Sequence, residues 1–176
     1  AIMGIQEIAG MMEYDILLCI CQDNDTSSLH RILMNRKVDG VIVLRTFVND
    51  PQVDLLLEKK IPFVVTGTSH NDLVIQVDHD HESACKELTS ILLLRGYQKI
   101  AILGGSEEIV ANQSRMQGVR DAYQQFGREL NQEDVYTNLE TKAFVDRAVE
   151  LAIEKGTECM LCMDDGICSQ VLRKLR

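Results

Sequence analysis

The chain of 176 residues is 45% hydrophobic and 26% charged, which excludes a disordered or fibrous protein and fits one domain or two small lobes. Its 18 basic and 27 acidic side chains give a net charge of −9 without strong clustering of the basic residues, which disfavours direct contact with a phosphate backbone. The apolar runs fall far short of the roughly 20 residues that a membrane-spanning helix needs, so we expect no membrane partner.

The first half of the chain alternates helix and strand. Apolar residues at helical spacing predict a helix over residues 1–12, and a capping cluster at residues 25–28 predicts a second helix after it. Asp50 as the cap and Pro51 in the first turn predict the start of a third helix. Apolar runs predict three strands, over residues 14–21, 38–44 and 61–65. This alternation is the pattern of a parallel sheet, which predicts the α/β class.

The second half repeats the alternation after a polar segment. We predict a first lobe over residues 1–68, a crossing segment over 69–73 and a second lobe over 74–176. A short strand is predicted over 74–77, and a helix that Gly96 stops follows it. Further strands are predicted over 99–103, 134–136 and 159–163, with helices after each of them.

A buried strand that runs into a double glycine carries most of the functional prediction. Residues 99–103 are typical of a parallel strand covered on both faces, and Gly104-Gly105 ends it because glycine turns there without a steric cost. A polar loop with Asn112 follows, and Arg115 opens the next helical pattern. Ligands of open α/β sheets bind beyond the carboxyl ends of the strands, so Arg115 is placed where a ligand would be met.

Two other polar stretches favour structural roles. Residues 78–82 are dense in carboxylates and imidazoles, but at a helix start Asp80 is expected to cap the backbone rather than bind a metal. Cys159 and Cys162 have the spacing of a metal knuckle, yet an offset of three in a strand points the two thiols to opposite faces. No P-loop, dinucleotide fingerprint or catalytic constellation is present. We therefore predict no metal, no cofactor and no enzymatic activity.

The cysteines favour a reducing compartment. All six lie inside apolar helix or strand patterns, which is less typical of a disulfide framework than of a protein kept in the cytoplasm: Cys19, Cys21, Cys85, Cys159, Cys162 and Cys168. We therefore expect a cytoplasmic location.

Taken in order, these segments resemble the effector-binding domain of the LacI/GalR family of bacterial transcription regulators, which shares the periplasmic-binding-protein fold. The stretch from Arg95 to Ile102 resembles the family's "RGH-x-x-I" passage, with Tyr97 in place of the histidine, and Arg115 with Gly118 resembles its "R-x-x-G". Asp164-Asp165 stands where the family usually has Asn-Asp at the end of a strand. The other matching segments are 38–43, 61–65 and 77–78.

The resemblance implies the type I periplasmic-binding-protein-like fold: two Rossmann-like lobes of parallel sheet flanked by helices. We expect it to be incomplete, without the family's first strand, its last strands and helices, or its DNA-binding headpiece. The implied function is sensing of a small-molecule effector, a sugar, whose binding closes the lobes and alters operator affinity. The implied partners are the effector, operator DNA through the headpiece, and a second copy of the chain in a homodimer.

The resemblance also implies which residues hold the effector. Arg115 presents a planar fork of donors suited to adjacent hydroxyls, and Asp164 accepts hydrogen bonds from them. The family often has an aspartate where Thr66 and Thr68 fall, so this chain departs from its pattern there. The predicted effector-binding residues are Arg115, Asp164, Asn112, Thr46, Thr66 and Thr68.

Other interpretations are open. Arg115 could be a surface arginine paired with Glu107 or Glu108, and Asp164 could be a helix cap, although Asp165 is the better placed for that role. The whole protein could be a secreted sugar-binding protein that serves a transporter, or an α/β enzyme. The sequence that precedes residue 1 would separate a regulator from a secreted protein.

Overall fold

A computed structural model of the chain describes residues 2–21, 25–69 and 71–176. The chain divides into two units, Ala1–Asp78 and His79–Arg176. The first unit contains α1 (Ile2–Met11), α2 (Ser27–Met34), β1 (Val41–Val43), α3 (Pro51–Lys59), β2 (Phe63–Thr66) and β3 (Gln76–Val77). The second contains α4 (His81–Leu94), β4 (Ile100–Leu103), α5 (Val110–Gln125), a 3₁₀ turn (Gln132–Asp134), β5 (Val135–Tyr136), α6 (Lys142–Glu154), β6 (Cys159–Cys162) and α7 (Asp165–Lys174). Within the described ranges, no helix combines the length and apolar character that a membrane span requires.

The first unit is built on a parallel sheet in the order β1-β2-β3. Val43 of β1 pairs with Val65 of β2, and both side chains are buried. Leu29 of α2 and Leu56 of α3 pack with them in one apolar cluster. Asp50 accepts hydrogen bonds from the backbone N–H groups of residues 52 and 53 at the start of α3, so the predicted cap is confirmed.

The second unit is built on a parallel sheet in the order β5-β4-β6. The central strand β4 is buried along its whole length, as predicted. Its side chains alternate between two apolar clusters: Ile100 and Ile102 pack on the side of α5, and Ala101 and Leu103 pack on the side of α6 and α7. Two parallel sheets with helices packed against them confirm the predicted α/β class.

The predicted strand over residues 14–21 is wrong. These residues have no regular structure, and Ile16, Leu17, Leu18 and Ile20 are exposed. A strand exists only through the ladder that it makes with a neighbour, and no described strand pairs with this segment. An apolar run therefore did not suffice to predict a strand here.

The predicted division of the chain also needs correction. The sequence predicts residues 74–77 in the second lobe, but β3 pairs with β2, with Val65 opposite Gln76 and Thr66 opposite Val77. The first unit therefore extends through Asp78, and residues 74–78 belong to it.

Candidate functional site

The second unit gathers polar residues beyond the carboxyl ends of its strands. Gly104 and Gly105 follow β4, Asn138 follows β5, and Asp164 follows β6. The backbone N–H of Gly104 donates to the carbonyl of Tyr136 at 2.8 Å, and that of Asn138 donates to the carbonyl of Gly105 at 3.0 Å. These bonds hold the loop after β4 against the neighbouring strand.

Gly104 lies close to the side chain of Met163 and does not have a left-handed backbone conformation. A Cβ at this position would lie 2.8 Å from the Sδ atom of Met163, so the side chain of Met163 would have to shift. The glycines with positive φ are others in the chain, at Gly67, Gly96, Gly127 and Gly156. The sequence correctly predicted that the strand ends at a glycine, but the reason it gave was wrong.

Arg115 lies in the second turn of α5 and is half buried. Its Nη1 atom donates to Oδ1 of Asn112 at 3.1 Å. The buried Asn112 in turn donates through Nδ2 to the carbonyl of Ser106 at 2.9 Å. The alternative that Arg115 pairs with Glu107 or Glu108 finds no support, because neither carboxylate forms an ion pair with it in the residues that the structure describes.

Asp164 is the N-cap of α7, and its Oδ1 accepts from the backbone N–H of Ile167 at 2.8 Å. The preference for Asp165 as the cap is wrong: that residue is the first of the helix, and its Oδ1 accepts from the N–H of the adjacent Gly166 at 3.1 Å, whereas the bond to the third residue of the helix comes from Asp164. The other oxygen of Asp164, Oδ2, lies 3.9 Å from the position of a Cβ on Gly105. The side chain of Asp164 therefore both caps α7 and lies close to the loop after β4.

A cavity of about 540 Å³ opens at this edge of the second unit. Its lining is polar and includes the carboxylates of Glu82 and Glu107 and the carboxamides of Asn112, Gln113 and Gln117. Groups of this kind bind hydroxyls, because carboxylates accept hydrogen bonds and carboxamides both accept and donate them. Neither Arg115 nor Asp164 itself lines the cavity. Arg115 is linked to it through Asn112, and Asp164 lies beside Gly105, which does line it.

Sequence reasoning missed several residues of this cavity. Glu82 was interpreted only as part of a helix start, and Glu107 only as a possible partner of Arg115. Glu107 lies in the loop after β4, so its position relative to a strand end was a usable signal. Glu82 reaches the cavity because α4 packs against α5, and the sequence carries no local signal for that.

The predicted threonines lie in the first unit, near the carboxyl ends of β1 and β2. Thr46 is 3% exposed, and its Oγ1 donates to the carbonyl of Thr68 at 2.6 Å. The Oγ1 of Thr66 donates to the carbonyl of Val43 at 3.4 Å, and that of Thr68 donates to a carboxylate oxygen of Asp78 at 2.7 Å. The structure thus brings the three threonines together and engages all three hydroxyls within this unit.

The cysteines and the acidic helix start behave as predicted from their spacing. Cys159 packs on the α5 side of the sheet and Cys162 on the side of α6 and α7, so their thiols face opposite ways. Burial, and then the neighbouring Cys168, raises the pKa of Cys162 to about 12. Asp80 caps α4 by accepting from the backbone N–H of Ser83 at 2.9 Å. The described residues contain no group of three or more His, Cys, Asp or Glu side chains placed to hold a metal ion.

Residues 1–172 match the family described as periplasmic binding proteins and sugar binding domain of LacI family. The match covers almost the whole chain, so the chain belongs to this family. The resemblance seen in the ordered segments of the sequence is confirmed, as is the periplasmic-binding-protein-like type I fold that it implied.

Two named relatives show which proteins the chain is similar to in sequence. Catabolite control protein A of Staphylococcus xylosus is 31% identical over 166 residues, which are 92% of this chain and 50% of that protein. The HTH-type transcriptional regulator MalR of Streptococcus pneumoniae is 26% identical over 155 residues, which are 87% of this chain and 44% of that protein. The chain therefore spans about half the length of the curated relatives that it matches.

Solved structures agree on the fold. A putative transcriptional regulator LacI from Bacillus cereus subsp. cytotoxis superimposes with a TM-score of 0.92 at 24% identity, covering 99% of this chain and 64% of that one. The complex of the transcriptional regulator CelR with cellobiose superimposes with a TM-score of 0.88 at 24% identity, covering 99% of this chain and 55% of that one.

Proposed function

We propose that this chain is the effector-binding part of a LacI-type transcription regulator and that its effector is a sugar. The relative named as a transcriptional regulator, MalR of Streptococcus pneumoniae, supports the regulatory role over a secreted transport protein. The observation that carries the choice of ligand is the polar cavity of about 540 Å³ beyond β4 and β6, with carboxylates and carboxamides in its lining. The cellobiose complex of CelR concerns another protein, and it supports the same class of ligand here.

Arg115 and Asp164 are the residues proposed to hold the sugar in the second unit. The guanidinium offers paired donors to two adjacent hydroxyls, and the Oδ2 atom of Asp164 offers an acceptor for a third. Thr66 and Thr68 are proposed as contacts from the first unit. Their hydroxyls donate within that unit, so their oxygen lone pairs are what they offer to a ligand.

Regulation follows if the sugar binds one arrangement of the two units more tightly than the other. Only this differential affinity shifts a population, and a tenfold ratio corresponds to about 1.4 kcal/mol. We propose that the shift reaches operator DNA through a headpiece outside these 176 residues, in a cytoplasmic homodimer. The net charge of −9 makes direct DNA binding by this part unfavourable, which is consistent with a separate headpiece.

Calorimetric titration of the full-length protein with a panel of mono- and disaccharides, including cellobiose and maltose, tests the proposal. We expect one of these sugars to bind, and Arg115→Ala to weaken its binding at least about tenfold, because a charged donor pair is lost. Arg173→Ala removes an exposed arginine from the last turn of α7 and should leave binding unchanged. Absence of binding by every sugar, or undiminished binding by Arg115→Ala, contradicts the proposal.

A further inference from the structure

The carboxamide of Asn112 is engaged at both ends. Its Oδ1 faces a guanidinium nitrogen of Arg115 at 3.1 Å, and its Nδ2 faces the carbonyl oxygen of Ser106 at 2.9 Å. An arginine only donates and a backbone carbonyl only accepts, so the amide can satisfy both neighbours in one orientation alone. The side chain is 9% exposed, which makes either bond costly to lose.

The surroundings of Asn112 leave the amide little room to turn. A Cβ on Gly105 would stand 3.1 Å from Nδ2, so the backbone of the loop after β4 lies directly against it. The N-cap position of α5, Ile109, supplies no side-chain bond to the helix, and the amide of Asn112 instead fixes the loop at Ser106 over the first turn. The loop and the guanidinium are therefore connected through one buried amide.

We propose that Asn112 is a positioning residue that holds the guanidinium of Arg115 ready for the effector. The structure uses one N–H of Nδ2 for the loop and one lone pair of Oδ1 for the guanidinium, so the amide connects Arg115 to the backbone at Ser106. A free arginine samples many rotamers, and fixing one of them before binding lowers the entropic cost of association. This inference rests on the proposed function, in which Arg115 contacts the sugar.

The first test needs no ligand. In full-length protein labelled with ¹⁵N-arginine, the NηH signals of Arg115 are identified by their loss in Arg115→Lys. We expect resolved NηH signals in the wild type, because the bond to Asn112 slows rotation of the guanidinium, and their collapse to an averaged signal in Asn112→Ala. Asn112→Asp keeps an acceptor toward Arg115 and should preserve the resolved signals. If Asn112→Ala does not fold, Asn112→Leu removes both bonds at similar volume and takes its place.

The second test is a double-mutant cycle on sugar affinity, with cellobiose and maltose as the probes. Asn112→Ala should weaken binding about tenfold in the wild-type background and have no further effect when Arg115 is already alanine. Gln113→Ala is the matched control: this exposed neighbour also donates to a loop carbonyl, that of Glu107 at 3.0 Å, but does not contact Arg115. Its effect on affinity should be the same in both backgrounds.

The outcomes separate this inference from the proposed function. Undiminished binding by Arg115→Ala, or no binding by the wild type, contradicts the proposed function, and the NMR signals still decide whether Asn112 orders the guanidinium. If Arg115→Ala loses affinity but the Asn112→Ala effect is fully additive, Asn112 acts on the sugar by itself and the positioning role is wrong. Resolved NηH signals that persist in Asn112→Ala overturn it as well.

Discussion

At the scale of single residues, Glu158 shows how an exposed carboxylate connects two strands. Its Oε2 accepts from the backbone N–H of Gln98 at 2.6 Å and from that of Lys99 at 3.1 Å, just before β4 begins. Glu158 itself directly precedes β6. These two backbone donors hold the pKa of the carboxyl below its ordinary value of 4.5, because they stabilise the ionised form.

We predict that Glu158→Gln lowers the stability of the protein near neutral pH and that this effect disappears in acid. Since the pKa of Glu158 is lower in the folded state, its stabilisation is present above the ordinary value of 4.5 and is lost as pH falls through the folded value. Melting temperatures of both proteins, followed from about pH 7 to about pH 3, check this. Glu154→Gln, an exposed change of equal charge at the end of α6, is the control. A melting-temperature difference for Glu158→Gln that is the same at every pH would contradict it.

Residue roles that depend on local geometry could be predicted from the sequence. Asp50 and Asp80 cap their helices as expected, because a cap requires only a few neighbouring residues in the chain. The cap of α7 was misplaced by one residue, since the pattern of apolar residues does not fix a helix boundary that closely. Glu82 could not be predicted as a cavity residue, because its place depends on the packing of two helices.

At the scale of elements, Gly118 controls how α5 packs on α4. A Cβ on Gly118 would lie 2.1 Å from the carbonyl oxygen of Glu82 and 2.9 Å from the backbone nitrogen of Lys86. Both contacts are with backbone, which a side-chain rotation cannot relieve. The glycine of the "R-x-x-G" pattern therefore sets the distance between the two helices, while the arginine of the same pattern, Arg115, is one turn away.

We predict that Gly118→Ala destabilises the protein by about 1–3 kcal/mol or more, because the methyl group forces α4 and α5 apart. The higher helix propensity of alanine offsets only about 0.5–1 kcal/mol of this. Urea unfolding of the variant measures the difference in the free energy of unfolding. Gly4→Ala in α1 is the matched control, since nothing lies within 4 Å of its Cβ position, and it should not destabilise. Equal stabilities for Gly118→Ala and the wild type would show that the helices separate without cost.

Helices and buried strands were predicted better than the sheet edges. A helix satisfies its hydrogen bonds within itself, so its apolar period suffices to place it, as for α6. The start of α5 was predicted too late: the helix begins at Val110 and not at Arg115, so Asn112 lies in the helix and not in the loop. A strand depends on a neighbour that the local sequence does not reveal. Residues 14–21 have the apolar run of a strand, but no described strand pairs with them. The lobe of β3 is predicted wrongly because the local sequence does not show that β3 pairs with β2.

At the scale of the whole molecule, the chain consists of two units with separate cores. Each described sheet lies entirely within one unit, and so does each buried apolar cluster. Leu56 is completely buried in the first unit, and Ile100 is 1% exposed in the second. Replacing a large core side chain by alanine therefore removes packing contacts from that unit alone. The predicted site is divided in the same way, with its threonines in the first unit and Arg115 and Asp164 in the second.

We predict that the two units unfold in separable transitions. The chain has no Trp, and three of its four tyrosines lie in the second unit, so tyrosine fluorescence reports mainly on that unit, whereas far-ultraviolet circular dichroism reports on both. Leu56→Ala and Ile100→Ala should each cost about 2–5 kcal/mol in their own unit. In urea, Ile100→Ala should lower the midpoint of the fluorescence transition, which reports on the second unit. Leu56→Ala should leave that midpoint unchanged and shift only the part of the dichroism change that comes from the first unit. Two variants that move both signals together would show that the units unfold as one cooperative body, because a shared transition requires coupling stronger than the loss in either core.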